Sequence, residues 1–238
     1  MGGGRVATDV GTLPPMRWKE RAVLEPYFEK DGQTIYLGDC AEVLPDLPCV
    51  DLLLTDPPYG LGDDVWVRSG GNWAGARGRL CNGETPEWDK TTVPMPVMEQ
   101  AIEKATISIV WGGNHYALPP HRGWLIWDKV ERVSMSDAEL AWTNRDGPVR
   151  VYRMSRVVAF CPPHAESVKQ HPTEKPLALM RWCIEQAGDG VATILDCFCG
   201  SGTTLVAARD LGRKAIGIEI EERYCEIAAK RLAQGILF

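Results

Sequence analysis

One stretch, residues 191–232, constrains the fold more than any other part of this 238-residue chain. An apolar run of strand length (191–195) enters a turn carrying Gly200 and Gly202, and a helical segment follows (203–211). A second apolar run (214–218) ends at Glu219, and an amphipathic segment (221–232) completes the series. Two buried strands separated by a helix make a βαβ unit, with parallel strands and a right-handed crossover. The glycines let the backbone turn sharply and let a ligand come close. The helix N-terminus beyond them offers N–H groups and the positive end of its dipole, which suits a carboxylate or a phosphate. Glu219 lies 17 residues beyond Gly202, near the ~20 expected of an acid that grips the two hydroxyls of a ribose. The unit therefore reads as a nucleoside-binding site. A nicotinamide dinucleotide stays open as its ligand, although the glycines do not follow the G-x-G-x-x-G pattern.

The same alternation runs through the rest of the chain. Residues 33–37 and 50–55 are strand-like, and the second run is stopped by Asp56-Pro57-Pro58, because two prolines cannot continue a central strand. Helices are expected at 94–105 and 176–187, strands at 107–111, 124–127 and 138–143, and a strand pair at 149–160. Buried strands alternating with helices indicate an α/β domain with a mostly parallel sheet. Residues 1–30 read as an N-terminal extension packed loosely at an edge, and 31–238 as a single domain. Within it, 60–93 is rich in Gly, Trp and Arg without any period, a loop length that is usually functional or disordered.

The longest apolar runs fall far short of the ~20 residues that cross a bilayer. No charged-then-apolar leader is seen at the start, and Val6 stands where a myristoylation motif needs Ser or Thr. The eight cysteines form no C-x-x-C pair, so no metal site is expected, and free thiols in a reducing cytoplasm are. The net charge of −6 is opposite to what phosphate binding usually asks of a whole protein. Residues 143–182, however, carry seven basic and three acidic side chains, so a basic face can exist on an acidic molecule. Arg150, Arg153 and Arg156 in the candidate recognition region 143–170, with Arg68, Arg77 and Arg79 in the 60–93 loop, are the candidates for phosphate contact.

Thr55-Asp56-Pro57-Pro58-Tyr59-Gly60 stands at the carboxyl end of a buried strand, where open α/β sheets place their ligands. It is followed along the chain by His171-Pro172-Thr173-Glu174-Lys175-Pro176, and then by Asp196-Cys197-Phe198-Cys199-Gly200-Ser201-Gly202. With these motifs in this order, residues 33–232 resemble the β-class S-adenosylmethionine-dependent DNA amino-methyltransferases of bacteria and phages. The resemblance implies a Rossmann-like fold with circularly permuted motif order and a mostly parallel seven-stranded sheet with an antiparallel edge. It also implies S-adenosylmethionine as cofactor and double-stranded DNA as substrate.

The resemblance assigns catalysis to Asp56, Pro57, Pro58 and Tyr59. An exocyclic amine is a poor nucleophile because its lone pair is delocalised into the ring. The Asp56 carboxylate and the Pro57 carbonyl would accept its protons and favour the pyramidal, attacking amine. The prolines fix φ and so aim that carbonyl, and Tyr59 would stack on a base swung out of the duplex. For the cofactor, the resemblance implies Asp39 and Cys40 near the adenine, and Thr173 and Lys175 at the methionine part. It places Asp196, Phe198, Gly200, Ser201, Gly202 and Thr203 at the glycine loop, with Glu219 on the ribose. Residues 123–129 and 137–142 resemble the hairpin that closes the base pocket.

Asp before Pro-Pro-Tyr goes mostly with adenine in that family, so N6 of adenine is the expected target. N4 of cytosine is the alternative, since both amines need the same pair of acceptors. Methylation of RNA or protein, or a catalytically silent DNA-binding regulator, are more distant readings, and the intact 56–59 motif argues against the last. With no separate recognition domain, DNA recognition is expected to be compact or shared across a homodimer. A restriction-modification role and a cytoplasmic, nucleoid-associated location follow from the resemblance.

Overall fold

The computed structural model describes residues 24–60, 89–130, 136–160 and 173–234. Arg68, Arg77, Arg79, His171 and Pro172, most of the 60–93 loop and most of the N-terminal extension lie outside the described residues. The strands are Phe28–Lys30 (β1), Gln33–Leu37 (β2), Val50–Thr55 (β3), Ala105–Trp111 (β4), Trp124–Asp128 (β5), Ala138–Thr143 (β6), Arg150–Arg153 (β7), Thr193–Asp196 (β8) and Lys214–Glu219 (β9). The helices are Cys40–Val43 (α1), Met95–Glu103 (α2), Arg156–Phe160 (α3), Leu177–Ala187 (α4), Thr203–Asp210 (α5) and Glu222–Ala233 (α6).

These strands form one sheet in the order β1-β2-β9-β8-β3-β4-β6-β5-β7. From β2 to β4 every neighbouring pair is parallel. The sheet thus has nine described strands rather than the expected seven, and its antiparallel strands are not confined to one edge. β6 lies inside the sheet, antiparallel to both β4 and β5, while β7 forms the far edge parallel to β5. At the other edge β1 pairs antiparallel with β2, which draws residues 28–30 out of the expected extension and into the domain. The turn between them is Asp31-Gly32 with φ of 49° and 79°, two left-handed residues whose twist matches a tight hairpin.

Side chains alternate across β3. Leu52 and Leu54 pack with Leu179, Met180 and Ile184 of α4 and with residues of α5 and α6. Leu53 points the other way, onto Val43 of α1 and Met98 and Ala101 of α2. Burial on both faces is why the sequence shows an unbroken apolar run here instead of alternation. Emptying one such site, as in Leu54→Ala, is expected to cost ~2–5 kcal/mol. Asp51 is the polar exception, and its Oδ2 accepts from the Ala192 and Thr193 N–H groups and the Thr193 hydroxyl, all at 2.8–2.9 Å. That ties the start of β3 to the start of β8, so catalytic and glycine-loop strands stay in register.

The 149–160 segment is a strand followed by a helix, not a strand pair. The Ser155 hydroxyl accepts from the Val157 and Val158 N–H groups, a cap that starts α3. Among the described residues no helix is long and apolar enough to cross a membrane.

Candidate active site

Because β2, β9, β8, β3 and β4 run the same way, their carboxyl ends meet along one edge of the sheet. That edge carries Asp39 after β2, Glu219 at the end of β9, Asp196 at the end of β8, Asp56 after β3 and Gly112 after β4. Sequence motifs more than 150 residues apart are thereby brought together, as the ligand-binding edge of such sheets requires.

On the β3 side, Asp56 is held from both oxygens. Its Oδ1 accepts from the Tyr59 hydroxyl at 2.6 Å, and its Oδ2 takes the Lys175 ammonium at 2.5 Å. Lys175 also reaches Glu139 Oε2 at 3.1 Å, and Glu139 Oε1 is paired with Lys129 at 2.7 Å. Burial pushes the Asp56 carboxyl above its ordinary range and Glu139 adds to this, while the Lys175 charge opposes both. Burial would also raise Glu139, yet the ammonium groups of Lys175 and Lys129 hold it down to about 2. Burial acts to lower Lys175, and the two carboxylates outweigh it, so the lysine stays protonated.

The 56–59 turn is anchored through its backbone. The Tyr59 N–H donates to Asp89 Oδ1 at 3.1 Å, and the Tyr116 hydroxyl donates to the Pro58 carbonyl. The Tyr59 ring stacks nearly parallel on His115, with centroids 4.8 Å apart. Tyr59 therefore turns its hydroxyl inward and shares a ring face with histidine, an arrangement that any base stacking there has to replace.

On the β8–β9 side, Gly200 and Gly202 have φ of 51° and 79°. A Cβ on Gly202 would lie 2.7 Å from Ala228 Cβ, so only glycine fits between the loop and α6. Glu219 is buried, and its oxygens accept from the Gly200 and Glu221 N–H groups, both at 2.8 Å. Burial pushes its carboxyl up to about 7 against those two bonds. A carboxylate has roughly four lone-pair sites, so two hydroxyls can still be accommodated.

Asp196 is buried and turned into the strand ends, accepting from the Thr55 hydroxyl at 2.8 Å and the Phe198 N–H at 3.1 Å. Burial raises it to about 6. It thus joins the glycine loop to the residue preceding Asp56. Ser201 and Thr203 are also turned inward, since Arg231 donates to Ser201 O, Ser201 Oγ and Thr203 Oγ1. Thr203 donates in turn to Glu174, which pairs with Arg231 at 3.0 Å. Those two hydroxyls brace the loop. Thr173, next to Glu174 in the chain, is half-buried.

Asp39 caps α1, accepting from the Ala41 N–H at 2.8 Å, and Cys40 is buried in the core with Cys197. Phe198 is half-buried against the same core. Lys175, expected at the cofactor, is found on Asp56. Arg150 and Arg153 lie an odd number of positions apart on β7 and so project to opposite faces of the sheet. Arg153 pairs with Asp128 at 2.8 Å, and Arg156 begins α3.

Sequence reasoning placed Lys129 and Glu139 in the segments resembling the base-pocket hairpin, and Glu174 in the 171–176 motif, without giving any of them a role, and it missed Arg231. The acid in Ala138-Glu139-Leu140-Ala141-Trp142 was a usable signal, because a lone carboxylate inside an apolar strand needs a cation. Arg231 gave none.

Residues 88–230 match the model of an N6/N4 methyltransferase family described as DNA methylase. The matched span begins beyond the 56–59 turn. The type II methyltransferase M.ScaI of Streptomyces caespitosus is 24% identical over 90% of this chain and 85% of its own length. Among solved structures, the M1.HpyAVI–SAM complex is similar with a TM-score of 0.54 and 21% identity, over 84% of this chain and 99% of that one. The cytosine-N4-specific PvuII DNA methyltransferase is similar with a TM-score of 0.59 and 15% identity, over 90% of each chain. These two show that the fold is shared. With its family match spanning more than half of the residues, the chain belongs to the N6/N4 DNA methylase family.

Proposed function

We propose that the protein transfers a methyl group from S-adenosylmethionine to N6 of adenine in double-stranded DNA. The observation that carries this reading is the placement of the Asp56 carboxylate and the Glu219 carboxylate on one sheet edge, joined through the Thr55–Asp196 bond and the glycine-loop backbone that donates to Asp196 and Glu219. Glu219, with the glycine loop that only glycine can form, fits the nucleoside end of the cofactor. S-adenosylmethionine supplies an electrophilic methyl group on sulfur. Asp56 and the Pro57 carbonyl accept hydrogen bonds from the two N–H groups of the target amine, which localises its lone pair for attack, and Pro57 and Pro58 keep the carbonyl aimed. Tyr59 packs against the displaced base. Asp39, Cys40, Thr173 and Phe198 complete the cofactor site, and Arg153 and Arg156, with Arg68, Arg77 and Arg79, are the candidates for phosphate contact, while Arg150 stands three residues back from the catalytic edge.

Adenine is favoured over cytosine by Asp at position 56, the residue that accompanies adenine in the resembling family. Enzymatic digestion of methylated DNA to nucleosides, followed by mass spectrometry, tests the assignment. N6-methyladenine is expected. N4-methylcytosine alone would overturn the base while leaving methyl transfer to DNA in place.

A further inference from the structure

We propose that Lys175 is a positioning residue for methyl transfer: braced by Glu139, it clamps Oδ2 of Asp56 so that Oδ1, covered by the Tyr59 hydroxyl, is the oxygen presented to the target amine. This rests on the reading of Asp56 as the amine's acceptor. The three N–H bonds of a lysine ammonium are accounted for here by Asp56 Oδ2, Glu139 Oε2 and the Tyr59 hydroxyl at 3.3 Å. The ammonium also lies 5.5 Å from the centre of the Tyr59 ring and 5.7 Å from that of Trp111. Holding a cofactor carboxylate as well would require giving up one of these partners. Lys175 therefore serves the carboxylate that faces the base.

The two Asp56 oxygens are not equivalent. Releasing Oδ2 would strip a buried ammonium of its counter-charge, which is costly. Releasing Oδ1 breaks a bond to a neutral phenol, and an amine N–H can replace it nearly one for one. Base entry thus exchanges one donor for another on Oδ1 while Oδ2 stays fixed. Glu139 can sustain this because Lys129 holds its other oxygen, which keeps it anionic and in place between the two lysines.

The test uses the full chain and three variants, Lys175→Met, Lys175→Arg and Glu139→Gln. S-adenosylmethionine affinity is read by calorimetry, and single-turnover transfer to unmethylated bacterial DNA is read against pH. The charged and titratable groups facing Asp56 are Lys175, Glu139, Tyr59, Tyr116 and Asp196. The last three are common to every variant, so differences between the profiles report the Lys175–Glu139 pair. Lys175→Met is expected to keep cofactor affinity within about twofold and to lose ~100-fold in rate at neutral pH. Its acidic limb should move up by about one unit or more, because a buried carboxyl without its cation takes up a proton more readily. Lys175→Arg should retain the limb of the parent chain even at a lower rate. Glu139→Gln should move the limb down, having removed a like charge from Asp56. Loss of cofactor affinity in Lys175→Met with an unmoved limb would assign Lys175 to the cofactor and overturn the proposal. If Lys175→Met does not fold, an unmoved or raised limb in Glu139→Gln overturns it equally. Asp56→Asn is the control for the underlying reading: if it stays active, the role of Asp56 fails, independently of Lys175.

Discussion

Glu219 has a charge state that moderate changes of pH will alter. Burial raises its carboxyl to about 7, whereas ribose hydroxyls donate more strongly to the ionised form. The sign follows: below about 7 the free protein holds a proton that cofactor binding must expel, and above it none is expelled. S-adenosylmethionine affinity should therefore weaken as pH falls through about 7 and level off above it, with proton release visible when calorimetry is repeated in buffers of different ionisation enthalpy. Asp196, at about 6, titrates nearby. Glu219→Gln separates the two, since it should lose most of this dependence and weaken binding by losing charge-assisted bonds. Asp56→Ala is the complementary variant, expected to abolish transfer while leaving cofactor affinity largely intact. A parent affinity flat across this range would remove Glu219 from the ribose. At this scale the sequence showed the residues whose neighbours in the chain are distinctive, Asp56 before two prolines and Glu219 at a strand end. It did not show Glu139 and Lys129, whose partners come from other elements.

The turn after β4 shows how an element can shape the site without contributing a functional group. Gly112 has φ +64°, and a Cβ there would lie 2.1 Å from the Tyr59 ring. Tyr59 thus packs directly on backbone, which sets the ring where its hydroxyl meets Asp56. Gly112→Ala should displace Tyr59 and cost ~1–3 kcal/mol through the left-handed conformation alone. Transfer should fall sharply while S-adenosylmethionine binding persists, because the glycine loop belongs to β8 and α5. Thermal denaturation with calorimetry checks both halves. If cofactor affinity falls as much as activity, the disturbance has spread beyond the Tyr59 side. The Asp31-Gly32 dipeptide is a hairpin signal that the sequence reading passed over, and it accounts for an edge strand that weak periodicity had hidden. The hydroxyl cap at Ser155 is subtler, since Ser commonly occurs in loops as well.

Over the whole molecule the charge is negative, so DNA contact has to come from local placement. β7 is parallel to β5, which runs with β3 and β4, so Arg153 sits at the catalytic edge of the sheet and Arg150 three residues back from it. The two also face opposite sides. The bond of Arg153 to Asp128 is a solvent-exposed pair, weakened by water and salt, and it can be exchanged for a phosphate. Arg153→Ala is therefore expected to reduce the salt dependence of DNA binding by about one phosphate equivalent, and Arg150→Ala to leave it nearly unchanged. Fluorescence anisotropy across a salt series measures both slopes. Equal changes for the two would mean that DNA does not approach along the catalytic edge.

By itself the sequence determined the α/β class, the order of motifs and the strand ends that carry Asp56 and Glu219. Those depend on local rules: apolar runs for strands buried on both faces, prolines that end a strand, glycines where no Cβ fits. Only the tertiary structure decided how many strands join the sheet, because β6 inserts between β4 and β5 by pairing with edges that no local pattern identifies. It also decided what Lys175 touches. A lysine's partners are set by which carboxylates the fold brings within ~4 Å, and here those come from the end of β3 and from β6, 119 residues away and 36 residues away along the chain.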